Sequence, residues 1–530
     1  MKKTTILSLA TIALLSASSC KKFTDINKNP NAATSATPEL ILPQAIVYTA
    51  GNANGFNTYG AELGGYAANA GGYGGFGSNW TYDFGPNDYS GLWTSTFDAL
   101  NDFQTVINTT ATDATHLNYN GIARIMKAYS FQLLVDAYNN VPYTQALQGK
   151  SNVINPKYDD AKTIYPALAN QLDSAIAILK QGQSAGSQAT ISAANDPMFG
   201  GDITSWIQFA NTIKLRLIVR ATGVATFSNT TFDGAGFLTT DAIVNPGYAK
   251  VSGQQNPSWN SWVKDFAGTA GNRAWMPCTF TFAFYNGAKL LDNARGTAIY
   301  YNFPGTPNNQ LGVGTVSVPS APTVANAWYS GDQDNLGNCV GIMKGLNMGE
   351  PLVLAAESYF LQAEAQLRGI ITGGDDAETL FNNGVAASFQ YLFYLPDDKT
   401  IGNDPVTGDP LVVGDAVAQY QADNPTSYLV NYSLATTDAQ RLEAIITQKY
   451  IAVNFINSQE GWNEYRRTGY PVSSNFTIDA NKSMASTLSQ STRPDQLPSR
   501  ILYPASEYSY NSANVPSGIS PYTSLIFWAH

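Results

Sequence analysis

Apolar residues recur at three- and four-residue steps along much of this chain, the spacing of helices with one buried face. In residues 441–471, RLEAIITQKYIAVNFINSQEGWNEYRRTGYP, such a face is shared by Leu442, Ile445, Ile446, Tyr450 and Val453, which predicts a core helix. Polar and aromatic residues mix beyond it, with Glu460, Trp462 and Glu464 ahead of Arg466 and Arg467, and Thr468-Gly469-Tyr470-Pro471 supplies stop and turn chemistry. Arginines in a last turn meet the helix dipole favourably and pair well with carboxylates, so both are expected to be structural. Further stripes run over 93–107; over 121–138, through Ile122, Ile125, Met126, Tyr129 and Leu133; and over 156–179, through Ile164, Leu168, Leu172, Ile176 and Leu179. The stretch 200–221 aligns Trp206, Phe209, Ile213 and Leu217, and 351–368 aligns small residues suited to close helix contact, with a partner helix over 375–391. Thr37-Pro38 reads as an N-cap followed by a first-position proline, opening one more helix.

Two long stretches break the pattern. Residues 51–93 contain GGYAANAGGYGGFGSNW, with Tyr66, Tyr73, Phe76 and Trp80 among glycines, and neither a helical nor a strand period holds there. Residues 224–349 are rich in Gly, Pro, Asn and Thr, with Trp259, Trp262, Trp275 and Tyr285 scattered through them. Long regions without stripes are often functional. Glycines admit close backbone approach, and aromatic rings with no shared helical face either pin the loop to the body or project as platforms on which sugar rings stack. Tyr73, Trp80, Trp259 and Trp275 are the candidate ligand-binding residues. Residues 396–428 also read as loop-rich.

Composition sharpens this picture. Charged residues are 13% of the 530-residue chain and aromatics 12%, with 30 Tyr and 9 Trp, so the surface suits neutral, hydroxyl-rich ligands. The net charge of −10 and the absence of a basic cluster argue against nucleic acid as a partner. Lys2 and Lys3, an apolar run over 6–15 and small residues 16–19 precede Cys20, the pattern of a cleaved signal. The run is shorter than the ~20 apolar residues of a spanning helix. A cysteine directly after small residues resembles a lipoprotein processing site, which implies a lipoprotein signal peptide over 1–19 and a mature chain over 20–530 anchored to a membrane by lipid on Cys20, the alternative being an ordinary secretory signal with an incidental cysteine.

Several blocks resemble the SusD/RagB-type lipoproteins that cap outer-membrane nutrient importers: QKYIAVNFINSQEGWNEYRRTGYP, LPSRILYPASEYSYNSANV, IARIMKAYSFQLLVDAYNNVPYTQAL, PLVLAAESYFLQAEAQLR and the DINKNPN run. No fixed ~34-residue period is visible, so the repeat architecture rests on that resemblance. It implies a mainly α fold, a tetratricopeptide-like helical-repeat solenoid with long loop-rich insertions forming the ligand face. It further implies a cell-surface lipoprotein of the outer membrane, lipid-anchored and facing the exterior. Such a protein binds a glycan or a peptide and hands it to a SusC-like TonB-dependent transporter. LLDNARG, over 290–296, resembles the family's Asp-Pro-Arg element but lacks its proline, and no role is assigned to it.

Catalytic and metal constellations are sparse. His116 and His530 are the only histidines, and no phosphate-binding loop, dinucleotide fingerprint or paired-cysteine motif occurs, so neither a catalytic residue nor a metal or cofactor is assigned. The run Asp332-Gln333-Asp334-Asn335-Leu336-Gly337 fails as a calcium loop, with Leu336 at a ligand position and Met343 where a bidentate Glu belongs. A glycosidase needs only two placed carboxyls, which leaves a surface glycoside hydrolase or peptidase on a helical scaffold as the alternative, beside a purely structural solenoid adaptor. Cys278 and Cys339 remain after Cys20, with pairing and separate burial both open.

Overall fold

Helix starts are encoded by short polar side chains. Asp160, Asp202, Asp376 and Thr437 each occupy an N-cap and accept a hydrogen bond from a backbone N–H two or three residues on, satisfying a donor that the first turn leaves open. The computed structural model describes residues 36–314, 318–320, 328–331, 339–474 and 479–530. The segment 1–19, Cys20, the DINKNPN run and the 332–337 loop lie outside them.

The main helices are α1 (Pro38–Leu63), α2 (Ser90–Thr109), α3 (Leu117–Tyr138), α4 (Ala161–Ser184), α5 (Ile203–Ala221), α6 (Ala355–Leu367), α7 (Ala377–Phe393), α8 (Val413–Asp423), α9 (Asp438–Ala452) and α10 (Ser458–Thr468). Each packs on its neighbour from α1 through α8, α9 then lies on α6 and α7, and α10 closes back onto α1. The fold is mainly α, a stack of helix pairs of the tetratricopeptide type. Strands are short and join loops: β1 (Ala67–Asn69) pairs antiparallel with β5 (Trp275–Pro277), β2 (Val141–Pro142) with β3 (Tyr158–Asp159), and β4 (Ala242–Val244) with β6 (Glu350–Val353).

Where the structure departs from the hydrophobic pattern, the cause is burial on more than one face. The stretch 51–93 begins as helix, because α1 continues to Leu63 with Asn52, Asn54, Asn57, Phe56, Tyr59 and Glu62 all buried. A helix enclosed on several sides shows no single apolar stripe. Its polar residues are spent on tertiary bonds instead: Asn57 donates to the Phe455 carbonyl (3.1 Å) and accepts from the Ser458 N–H (2.8 Å). The 441–471 stretch is two helices, broken after Ala452, with Phe455 in the left-handed region at φ 59°. Gly469 then stops α10 at φ 76°. Residues 350–353 are strand rather than helix, and α8 lies inside the stretch read as loop. No disulfide joins Cys278 to Cys339.

The helical core carries buried charge. Arg216, Arg220, Lys449, Arg466 and Arg467 face Asp136, Glu357, Glu364, Glu460 and Glu464, drawn from α3, α5, α6, α9 and α10. Arg220 bridges Asp136 (2.6 Å) and Glu460 (2.5 Å), and Lys449 meets Glu464 at 2.7 Å. Arg466 donates to the carbonyls of Ser499 (3.0 Å) and Asp136 (2.9 Å). Both arginines of the pair are thus built into the interior, with Arg466 4% exposed and the Arg467 side chain 5% exposed. Asp292 and Arg295, in LLDNARG, are likewise internal: Asp292 caps a short helix and its Oδ2 accepts from Arg295 Nε at 2.5 Å.

Candidate ligand platform

The two irregular regions meet in space. Antiparallel pairing sets Ala67 opposite Pro277 and Asn69 opposite Trp275, and the Ala70 N–H extends the ladder to the Ala274 carbonyl (2.7 Å). Beyond β1 the chain turns through glycines into one helical turn, Ser78–Thr81. Gly77, at φ 51° and ψ −126°, opens that turn in a conformation that favours glycine.

Every side chain of the first three positions in this turn is held. Ser78 Oγ donates to Asp88 Oδ1 (2.9 Å), Asn79 Nδ2 donates to Glu62 Oε2 (2.8 Å) and the Tyr89 hydroxyl (2.7 Å), and Trp80 Nε1 donates to Asn69 Oδ1 (3.0 Å). The Trp80 ring stacks with Phe76 at a centroid separation of 5.4 Å and an interplanar angle of 23°, while Trp275 meets Phe76 edge-on at 5.0 Å. Phe76 and Trp80 are partly exposed, and Tyr73, three residues before Phe76, is 39% exposed.

The four candidate residues therefore separate. Trp80 and Trp275 come together through Phe76, with Trp275 as the buried underside at 7% exposure. Tyr73 belongs to the same glycine-rich turn. Trp259 is corrected: Asn256 caps and Pro257 starts a short helix that carries its ring into the core at 0% exposure, so it presents no face to a ligand. Phe76 was missed, although it stands four residues before Trp80 in GGFGSNW; only the folded turn shows that it links the two tryptophans. Asn69 and Asn79 were missed too, since nothing local marks an asparagine as a partner of a distant indole or carboxyl. Among the described residues no cluster of three or more His, Cys, Asp or Glu side chains is arranged to hold a metal ion.

Beneath the turn, burial pushes the Glu62 carboxyl up to about 7, although the hydrogen bonds from Tyr89 (2.5 Å) and Asn79 favour its ionised form. A carboxyl with a folded-state pKa above its unfolded value favours folding while both states are protonated. That contribution is lost as pH rises from the ordinary value near 4.5 through about 7. Glu62→Gln keeps an oxygen to accept from Tyr89 and cannot ionise. Urea denaturation should find it close to wild type at pH 4.5 and more stable than wild type at pH 8, by a few kcal/mol at ~1.4 kcal/mol per pKa unit. A stability difference that does not change between those two pH values would remove Glu62 as a titrating group.

Fold and site together define a class: a helical-repeat protein whose joined loops bring Phe76, Trp80 and Trp275 into contact. Residues 30–504 match the SusD-like family profile, described as starch-binding and associating with the outer membrane, and the chain belongs to that family. Among solved structures it is similar to a SusD/RagB family protein from Bacteroides thetaiotaomicron, with 18% identity, TM-score 0.67, and coverage of 93% of this chain and 99% of that one. A SusD homologue from Bacteroides fragilis matches at 19% identity and TM-score 0.64 over 93% and 100% of the two chains. A chitin-binding protein matches at 21% identity and TM-score 0.64 over 93% and 99%. No curated protein matches the chain.

Proposed function

We propose that this protein is a cell-surface glycan-binding lipoprotein. It is anchored to the outer membrane through Cys20, holds a neutral oligosaccharide on the Tyr73–Phe76–Trp80 platform, and passes it to a SusC-like TonB-dependent transporter. The observation that carries the reading is the stacked Phe76–Trp80 pair, partly open to solvent on a turn whose polar side chains are already bonded inward. Such rings bind the apolar C–H face of a sugar without rearrangement, and a pre-set platform avoids the ordering cost of binding. Family membership, whose description names starch, and the similarity to a chitin-binding protein support the ligand class.

Calorimetric titration with maltoheptaose and with chitohexaose tests it. Trp80→Ala should weaken the better of the two by on the order of 1–3 kcal/mol, taking base stacking on aromatics as the measure, with the melting temperature largely retained. Trp80→Ala binding like wild type would move the site elsewhere. Chromatography of the oligosaccharide after long incubation should recover it intact, whereas shortened products would favour the hydrolase reading.

No helix among the described residues is long and apolar enough to cross a membrane, so the anchoring prediction falls on Cys20. In the native host, Cys20→Ala should abolish acylation and move the protein from the membrane to the soluble fraction. A variant still acylated and membrane-bound would defeat the lipoprotein assignment.

A further inference from the structure

Asn69 is 1% exposed, and each of its side-chain polar atoms is bonded. Its Oδ1 accepts from Trp80 Nε1 (3.0 Å) and from the Gly312 N–H (3.0 Å), and its Nδ2 donates to the Val313 carbonyl (2.9 Å). Its own carbonyl accepts from Asn309 Nδ2 (2.8 Å), which also reaches the Val313 carbonyl (3.1 Å). The residue sits on β1 opposite Trp275, the ring beneath Phe76. One asparagine thus ties together the platform indole, the 309–313 turn and the β1–β5 ladder. The turn also flanks the ring, since a Cβ on Gly314 would lie 3.3 Å from Trp80 Cη2.

Two physical consequences follow. Rotating the indole out of its plane would break a buried hydrogen bond and leave Asn69 Oδ1 with the Gly312 N–H alone. The indole N–H is also occupied, so it has no free donor for a sugar hydroxyl. We propose that Asn69 is the positioning residue of the platform: it holds the plane of Trp80 and removes the indole N–H from recognition. The inference rests on the platform reading above and narrows its ligand class. Trp80 then reads a sugar only by its C–H face, which favours pyranoses whose hydroxyls are mostly equatorial and leave a broad apolar face.

The test uses full-length protein labelled with 5-fluorotryptophan, with the Trp80 fluorine resonance assigned by Trp80→Phe. Without ligand, Asn69→Ala should broaden or split the Trp80 resonance. Asn69→Asp, measured at acidic pH so that the buried carboxyl stays protonated and keeps both an acceptor for the indole and a donor for the Val313 carbonyl, should leave it single and sharp. Asn69→Ser is measured in parallel as a smaller truncation and should behave like the alanine variant. With chitohexaose, Asn69→Ala should weaken binding about tenfold, the loss expected for one buried hydrogen bond. Asn69→Asp at the same acidic pH should stay near wild type, and Asn69→Ala should cost nothing further in a Trp80→Phe background. A sharp, unmoved Trp80 resonance in both truncations overturns the proposal, and so does an equal loss of affinity with and without Trp80. If wild type binds no oligosaccharide, the platform reading fails, while the fluorine spectra still decide whether Asn69 holds the ring.

Discussion

Arg467→Ala is expected to destabilise the protein by about 3–5 kcal/mol, the range for removing one partner of a buried ion pair. The guanidinium donates both NH groups to Glu364, at 2.7 Å each, and its Nε to Glu464 Oε2 at 2.8 Å. Removing it leaves two carboxylates, 1% and 2% exposed, short of a cation. Arg368 still reaches Glu364 (2.8 Å) and Lys449 still reaches Glu464 (2.7 Å), so the loss falls short of two fully orphaned charges. Burial opposes ionisation of Glu464, yet Arg467, Lys449 and Arg220 outweigh it and hold the carboxyl well below its ordinary value. Arg467→Lys should recover only part of the loss, since an ammonium cannot form the two-pronged contact with Glu364. Chemical denaturation measures both variants. A melting temperature unchanged in Arg467→Ala, combined with lost oligosaccharide affinity, would instead place the arginine in the binding site.

The second large effect is expected from one methyl group. Gly60 lies where α1 crosses the start of α10, and a Cβ there would overlap the backbone nitrogen and Cα of Gln459. The obstacle is backbone, which cannot swing aside as a side-chain tip can. Gly60→Ala should therefore cost at the upper end of the ~1–3 kcal/mol typical of overpacking, or more. This outweighs the gain of up to ~1 kcal/mol in helix propensity from replacing glycine by alanine. Gly51→Ala is the control, since a Cβ at that position on the same helix meets nothing. The paired melting curves should move in opposite directions. A Gly60→Ala protein as stable as wild type would mean that α1 and α10 do not approach as described.

The turn that carries Trp80 shows why candidate ligand residues were harder to read than helices. Trp80 and Trp259 both stand beside Ser and Asn in stretches rich in glycine or proline, and sequence alone treats them alike. Their fates differ through distant partners: Trp80 is held at a partly exposed position by Asn69, itself paired to the strand of Trp275, while Trp259 is carried inward on a capped turn. Glu62 was unreadable for the same reason, since the residues that desolvate and bond it stand 17 and 27 positions away.

The amino-acid sequence by itself determined the helices that bury one face, such as those over 93–107 and 156–179, because a 3.6-residue period records a single buried direction. It determined as well the family, through blocks long enough to be specific. Tertiary structure alone decided that α1 runs on through Asn52 to Leu63, that the 441–471 stretch divides in two, and that the charges of α10 lie inside. Helix α1 is enclosed on several sides, so no single stripe marks it. It also decided which aromatic rings reach solvent. Exposure in a loop has no local period and is set by contacts such as Asn69 with Trp275, more than two hundred residues apart along the chain.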